Sequence, residues 1–284
     1  MIDLFAAMPR EVRREQRRAY RAFIADRDGE VDVNRRTLAR REASMQRFVT
    51  PLGWLRSMDE RAFSALYTGL DSGKTASPEM LLLLALVKVN AAEAFGVNKT
   101  FGKMMKRALE DEDDLELVLL IEETYHTRIL LSAACLYGIE VNAPYVPPSA
   151  LRILIGGIAH TPESLARPLT LAGEIIGTLL LSNLLTTAHS VLKDDPELRD
   201  SIEERITEVL VDEIGHISFN RMCLGPLGLA QTRLLLPLVG RGLATLAPEL
   251  RALGVMPTAP LAELAKITDP ARLPQAVRQQ AFFA

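Results

Sequence analysis

With 284 residues, a net charge of −3 and 24% charged residues, the chain is long enough for one large domain and has no electrostatic bias toward nucleic acid. Only two cysteines occur, Cys135 and Cys223, without a CxxC, so a disulfide framework is excluded and a reducing, cytoplasmic location is expected. Aromatic residues make up 5% and alternating strand patterns are scarce, which makes the expected class all-α.

Residues 1–10 contain no secretory apolar stretch. Arginines cluster next (Arg13, Arg14, Arg17, Arg18, Arg21, then Arg35, Arg36, Arg40, Arg41), but Glu11, Glu15, Asp26, Asp28, Glu30 and Glu42 interleave them. Met8, Val12, Ala19, Tyr20, Phe23 and Ile24 form an amphipathic stripe, so this segment reads as a docking helix with a solvated face. Residues 1–76 are expected to form a helical extension of one or two helices, with a turn around 50–53, packed on a main unit of residues 77–284.

Ser77-Pro78-Glu79 supplies an N-cap and a proline at the first helical position, opening a long apolar helix. Gly96 and Gly102 are places where that helix could stop. The spacing predicts a second helix over 115–137 with Gly138 as its stop, followed by a crossing loop over 142–148. Thr161-Pro162-Glu163 and Arg167-Pro168 start or kink the next elements, and a third helix is expected over 168–192. Residues 169–187 approach bilayer length, but Glu174 and Asn183 interrupt them, which favours a buried helix over a membrane span. A fourth helix is expected over 196–224, ended by Gly225 and Pro226. Two apolar helices before Gly254 and a tail of loop, short helix and Phe282-Phe283 complete the sequence.

The chemistry lies in a doubled phrase. Glu122-Glu123-Thr124-Tyr125-His126 and Asp212-Glu213-Ile214-Gly215-His216 each hold Glu-x-x-His preceded by an acid. On a helix, residues three apart share a face, so Glu and His can reach one ion. The chain has only four histidines, and two of them carrying Glu at minus three is about a 3% coincidence at ordinary Glu usage. Both phrases sit in apolar runs, where an ionised carboxylate is costly unless paired or bound to metal. Read as surface ion pairs, they would require both helices to turn these residues outward.

Two further carboxylates, Glu93 and Glu174, each stand alone in an apolar helical stretch. The order Glu, Glu-x-x-His, Glu, Glu-x-x-His is the ligand pattern of a four-helix two-metal site. Glu174 and Glu213 are equidistant from the turn at Asp194-Asp195-Pro196, and Glu93 and Glu123 from Ala108, so each pair can sit at one depth. The candidate ligands are therefore Glu93, Glu123, His126, Glu174, Glu213 and His216. Glu122 and Asp212 are candidates to hold the imidazole N–H groups. His160, at a loop end, and His189, four turns from Glu174, stay outside the set. Substrate-pocket candidates one turn from the ligands are Thr127, Leu130, Gly177, Thr178, Val209 and Ile217, with Val89 and Asn220 beside them. Gly215 is unusual within a helix, and a close approach or a local bulge would explain it.

These residues resemble the ferritin-like di-iron carboxylate superfamily over roughly 77–224. The closest likeness is to its p-aminobenzoate N-oxygenase-like branch, in the phrase from Glu122 to Thr127, the Glu174 helix with Asn183-Leu184-Leu185, and the Asp212-to-His216 ending followed by apolar helices. The resemblance implies a ferritin-like four-helix bundle with added terminal helices. It implies two iron ions, with manganese as an alternative, and dioxygen activation to oxidise a small or carrier-linked organic substrate. An external electron donor (a ferredoxin or reductase) and a homodimer are expected, with neither nucleic acid nor membrane as partner. That branch carries a further His one turn before the last Glu, where this sequence has Val209, leaving six ligands. Radical-generating reductase subunits carry a Tyr one turn after the first motif His, where this sequence has Leu130. A ferroxidase or iron-storage protein is the competing reading.

Overall fold

The long apolar stretches become long helices, and their order sets everything else. The computed structural model describes residues 4–32, 34–49, 53–69, 76–110, 114–246, 248–255 and 273–284. Among these the elements are α1 (Arg10–Arg27), β1 (Val31–Asp32), β2 (Thr37–Leu38), α2 (Ala39–Val49), α3 (Glu60–Thr68), α4 (Pro78–Glu110) and α5 (Leu115–Cys135). Then follow α6 (Ser149–His160), α7 (Glu163–Val191), α8 (Pro196–Cys223), α9 (Pro226–Leu246), α10 (Pro248–Ala252) and α11 (Gln275–Gln280). The all-α class is as expected, apart from a two-residue antiparallel ladder pairing Val31 with Leu38.

The helix boundaries follow local chemistry. Ser77 caps α4 by accepting from the Met80 amide at 3.2 Å, and Asp195 caps α8 by accepting from the Leu198 amide at 3.2 Å. After α5, Gly138 adopts φ +69°, and a Cβ there would meet the Trp54 ring at 2.9 Å, so the stop is held by the 53–56 segment as well as by the glycine. The N-terminal region yields three helices, not one or two. The first bundle helix runs past both of its possible stops, Gly96 and Gly102, to Glu110, so it ends beyond Ala108 as the pairing of Glu93 with Glu123 requires; neither glycine is asked for a left-handed conformation. The third starts at Glu163 rather than Pro168, with Pro168 in its second turn, and is preceded by α6, a helix not among those expected from the sequence. The turn at 50–52 and most of the tail after 255 lie outside the described residues.

Helix α4 packs along α5 and α7 along α8, while α5 faces α8 and α4 faces α7, closing a ring of four. His126 meets Asp212 and Glu122 meets His216, so α5 and α8 run antiparallel. With two antiparallel hairpins set this way, α4 and α7 are antiparallel too. Helix α6 crosses between the hairpins, touching α4, α7 and α9, and α9 covers the outer side of α7. Two spans, Pro78–Ala108 and Ser164–Val191, are long and apolar enough to cross a membrane, and half of each is buried within the protein.

Helix α1 lies on α8 through Tyr20, which is buried among Phe23, Phe219 and Phe282. This contact accounts for Gly215: a Cβ there would meet the Tyr20 hydroxyl at 2.8 Å and its ring carbons at 3.1 and 3.3 Å. Helix α8 remains regular at that point, so close approach rather than a bulge is the reason. Gly215→Ala should therefore destabilise the protein by about 1–2 kcal/mol, since overpacking outweighs the gain of roughly 1 kcal/mol in helix propensity. Urea unfolding with an unchanged m-value would read this directly; a stabilised variant would contradict the packing argument.

Candidate metal centre

The six expected ligands converge from four helices: Glu93 from α4, Glu123 and His126 from α5, Glu174 from α7, Glu213 and His216 from α8. They form two overlapping groups whose ligating atoms lie within 4.8 Å of one another. One is Glu93, Glu123, His126 and Glu213; the other is Glu123, Glu174, Glu213 and His216. Glu123 and Glu213 belong to both. Glu123 points one oxygen to each imidazole, 3.1 Å from Nδ1 of His216 and 3.5 Å from Nδ1 of His126. Glu213 stands 3.2 Å and Glu93 3.7 Å from the same His126 Nδ1.

These close approaches are not hydrogen bonds: Nδ1 of His126, Nδ1 of His216 and Oε2 of Glu123 are buried with no hydrogen-bond partner. Buried polar atoms are normally satisfied, and three such atoms within the two ligand groups fit bound cations. The other nitrogen of each ring is held. His126 Nε2 lies 3.0 Å from Asp212, and His216 Nε2 lies 2.9 Å from Glu122. The arrangement is crosswise, because the acid opening each phrase holds the histidine of the other. Each Nε2–H is thereby fixed as a donor, leaving Nδ1 for a metal.

The shifts in proton affinity follow from this crowding. Burial alone would lower both imidazoles, yet the carboxylates around them carry His126 and His216 well above the ordinary value. Burial raises Glu93, helped by the charge of Glu123, and raises Glu174, helped by Glu213. Glu123 and Asp212 go the other way. Burial works against ionisation in both, but Glu93 and the two histidines hold Glu123 well below the carboxylate range, and Arg27, Arg41 and His126 do the same for Asp212. Without an ion, protons neutralise the cluster.

Sequence reasoning missed the N-terminal contribution to this site. Arg41, 2% exposed, reaches Asp212 at 2.5 Å and Asp28 at 3.1 Å; Arg27 pairs with Asp212 and with Glu208 at 3.1 Å. Asp28, fully buried beside Glu122, is pushed up to about 8, mainly by burial. The Arg-rich segment thus provides the cations that anchor the acid holding His126. Only its apolar stripe was legible, since nothing local marks which arginines turn inward. Asn90 was also missed: it lies 1% exposed, one turn before Glu93, with both side-chain atoms unpartnered.

Tyr125 turns away from the ligands, accepting from the Leu38 amide at 3.1 Å and donating to Glu42 at 3.0 Å. His189 is exposed and pairs with Glu203 at 2.9 Å, and His160 ends α6; neither approaches the cluster. Of the pocket candidates, Leu130, Val209 and Ile217 are packed core. Thr127 is half-buried, and Asn220 is engaged with the His216 carbonyl and Arg167. Thr178 is fully buried with its hydroxyl unpartnered, and a Cβ on Gly173 or Gly177 would meet open space. Searched against protein-family models, curated proteins and solved structures, the protein matches none, so the family likeness rests on the motif residues.

Loading the site must displace protons from the imidazoles and from Glu93 and Glu174. Calorimetry of anaerobic Fe2+ or Mn2+ binding, in buffers of different ionisation enthalpy, should show release of on the order of two to four protons per chain. Affinity should rise with pH and fall as the site protonates. Glu123→Ala or His216→Ala should lose at least one ion with helicity retained, whereas His189→Ala should lose none; unchanged content in the first two would remove the site. Arg41→Met should cost about 3 kcal/mol, the low end for a broken buried pair because Arg27 still faces Asp212, and should weaken metal binding about tenfold.

Proposed function

We propose that the protein is a ferritin-like four-helix bundle that holds two iron ions and oxidises an organic substrate with dioxygen. The observation that carries this reading is the pair of ligand groups sharing Glu123 and Glu213, with each imidazole fixed by the acid of the opposite motif. Each group offers three carboxylates and one imidazole, hard donors suited to iron or manganese and favouring the higher oxidation state. Two irons bound there would supply a pair of electrons to dioxygen, renewed by an external ferredoxin or reductase.

The protein's own residues divide the remaining work. Asp212 and Glu122 keep the ring protons on Nε2, and Arg27 and Arg41 keep Asp212 ionised. The α5–α8 side is closed by the buried network of Glu122, Asp212, Asp28 and Arg41 around the two histidines. The α4–α7 side is looser: Glu93 is 35% exposed, Gly173 and Gly177 leave space, and residues 91–97 of α4 are half-buried on every face. A substrate would enter along that seam. Asn90 precedes Glu93 by one turn and Thr178 follows Glu174 by one turn, so on antiparallel helices they share a depth beside the ligands. Their unpartnered amide and hydroxyl suit a substrate with a hydrogen-bonding group near its oxidised position.

Reconstituted anaerobically with Fe2+, the protein should retain about two irons per chain and, on mixing with dioxygen, oxidise them with a rapid near-ultraviolet absorbance change. Sustained oxygen uptake should then require both a reductant and an organic substrate. Accumulation of many irons per chain would point to storage instead, and failure to retain iron would sink the proposal. Thr178→Val should raise the stability of the metal-free protein by about 1 kcal/mol, because it removes an unsatisfied buried hydroxyl while conserving shape. The same variant should keep its two irons, and lower stability in a urea titration would show that the hydroxyl is already engaged.

A further inference from the structure

Beyond the metal centre, the outer face formed by α6, α9 and the second half of α4 has a composition unlike the rest of the protein. Asp and Glu number 36 among 284 residues, yet none occurs in α6, in α9 or over residues 94–109. Those segments carry Lys99, Lys103, Arg152 and Arg233 among their basic residues. Helix α6 touches both α4 and α9, so the three form one continuous surface.

Large apolar side chains project from it. Leu227, Leu234 and Leu238 of α9 are 74%, 75% and 61% exposed, and Ile153 of α6 is 75% exposed. Spacings of seven and four residues place the three leucines within about 40° of arc, a stripe roughly 16 Å long. Beside Ile153 lies an open cleft of about 560 Å³ between α4 and α6, lined by Phe95, Lys99, Arg152 and His160 among others. Apolar knobs standing on helices that carry basic residues and no acids need a partner that accepts both features.

We propose that this face docks on an anionic lipid surface, with Leu227, Leu234, Leu238 and Ile153 entering the acyl boundary and the basic side chains meeting lipid phosphates. Charge decides between occupants. A second copy laid on α9 would set arginine against arginine with no acid on either helix to offset them. An anionic bilayer supplies the missing charge, while its hydrocarbon boundary takes the leucines, the pattern of a helix lying in the membrane plane. Such docking is distinct from a membrane span, which Glu93 and Glu174 argue against. It would also turn α6, which bridges α4 and α7 over the entry seam, toward the lipid.

Flotation of the full-length protein with phosphatidylcholine vesicles, with and without phosphatidylglycerol, tests this. Binding is expected only with phosphatidylglycerol, and should weaken as salt is raised. Leu234→Glu with Leu238→Glu should reduce it tenfold or more, and Arg233→Glu about fivefold, with helicity and iron content unchanged. Failure to bind anionic vesicles would overturn the proposal, as would equal binding to neutral vesicles or indifference to the leucine variants. Sedimentation equilibrium covers the other occupant: a wild-type dimer that the double leucine variant turns into a monomer, without anionic-vesicle binding, would assign the stripe to a second copy. Because iron-free protein can be floated as well, this result stands apart from the outcome at the metal centre.

Discussion

Excess negative charge enclosed among apolar helices is the constraint on which the rest of the structure depends. Six candidate ligands, two acids that hold the imidazoles and Asp28 lie within a few helical turns of one another, and most are cut off from water. Ionised carboxylates in such surroundings are tolerated only when cations or protons meet them. Three kinds of positive charge do so here. Arg27 and Arg41 meet Asp212, protons occupy the raised groups of the cluster, and the centre itself has the geometry of a cation site. Removing any one transfers the burden to the other two. Proton uptake and stability are therefore linked properties of this core, and any cation bound there would be linked to both.

From this follows the role of the N-terminal helices. An extension packed on a completed bundle could be trimmed without touching the site. Here α1 and α2 carry the guanidiniums that fix Asp212, and Tyr20 fills the space left by Gly215 one residue before His216. Residues 281–284 join the same assembly, with Phe282 against Tyr20 and its carbonyl accepting from Ser218 of α8 at 3.2 Å. Parts distant in sequence thus meet on the outer side of α8, behind the histidine.

What could be read in the sequence was what is encoded locally. Glu-x-x-His repeats with helical spacing, proline after a capping side chain, and a glycine at a helix stop all express short-range geometry, and each maps onto the structure where expected. The misses have tertiary causes. Arg41 looks like its exposed neighbour Arg40 until α2 is laid against α5 and α8. Gly96 and Gly102 left the end of α4 open, since both weaken a helix by propensity, and the packing of α4 against α5 and α6 overrides that local cost. Helix α6 was hidden by Pro147-Pro148 before it and Gly156-Gly157 within it, signals that ordinarily mark loop. Asn90 gave no signal, since a polar residue in an apolar run becomes informative only when its partners are found to be missing.

The two seams of the ring differ in how firmly they are locked. Between α5 and α8, His126, Asp212, Glu122 and His216 interlock, and shifting either helix by one residue would break both imidazole contacts together. Register there is fixed by charged hydrogen bonds in a dry setting, the strongest kind available to side chains. Between α4 and α7 no such lock exists among the described residues; glycines, a half-exposed glutamate and unpartnered Asn90 and Thr178 stand in its place. Rigidity on one side holds the ligands in place. Looseness on the other leaves space beside them, and Glu93 and Glu174, with no imidazole three residues along their own helices, are the two of the six that the interlock constrains least.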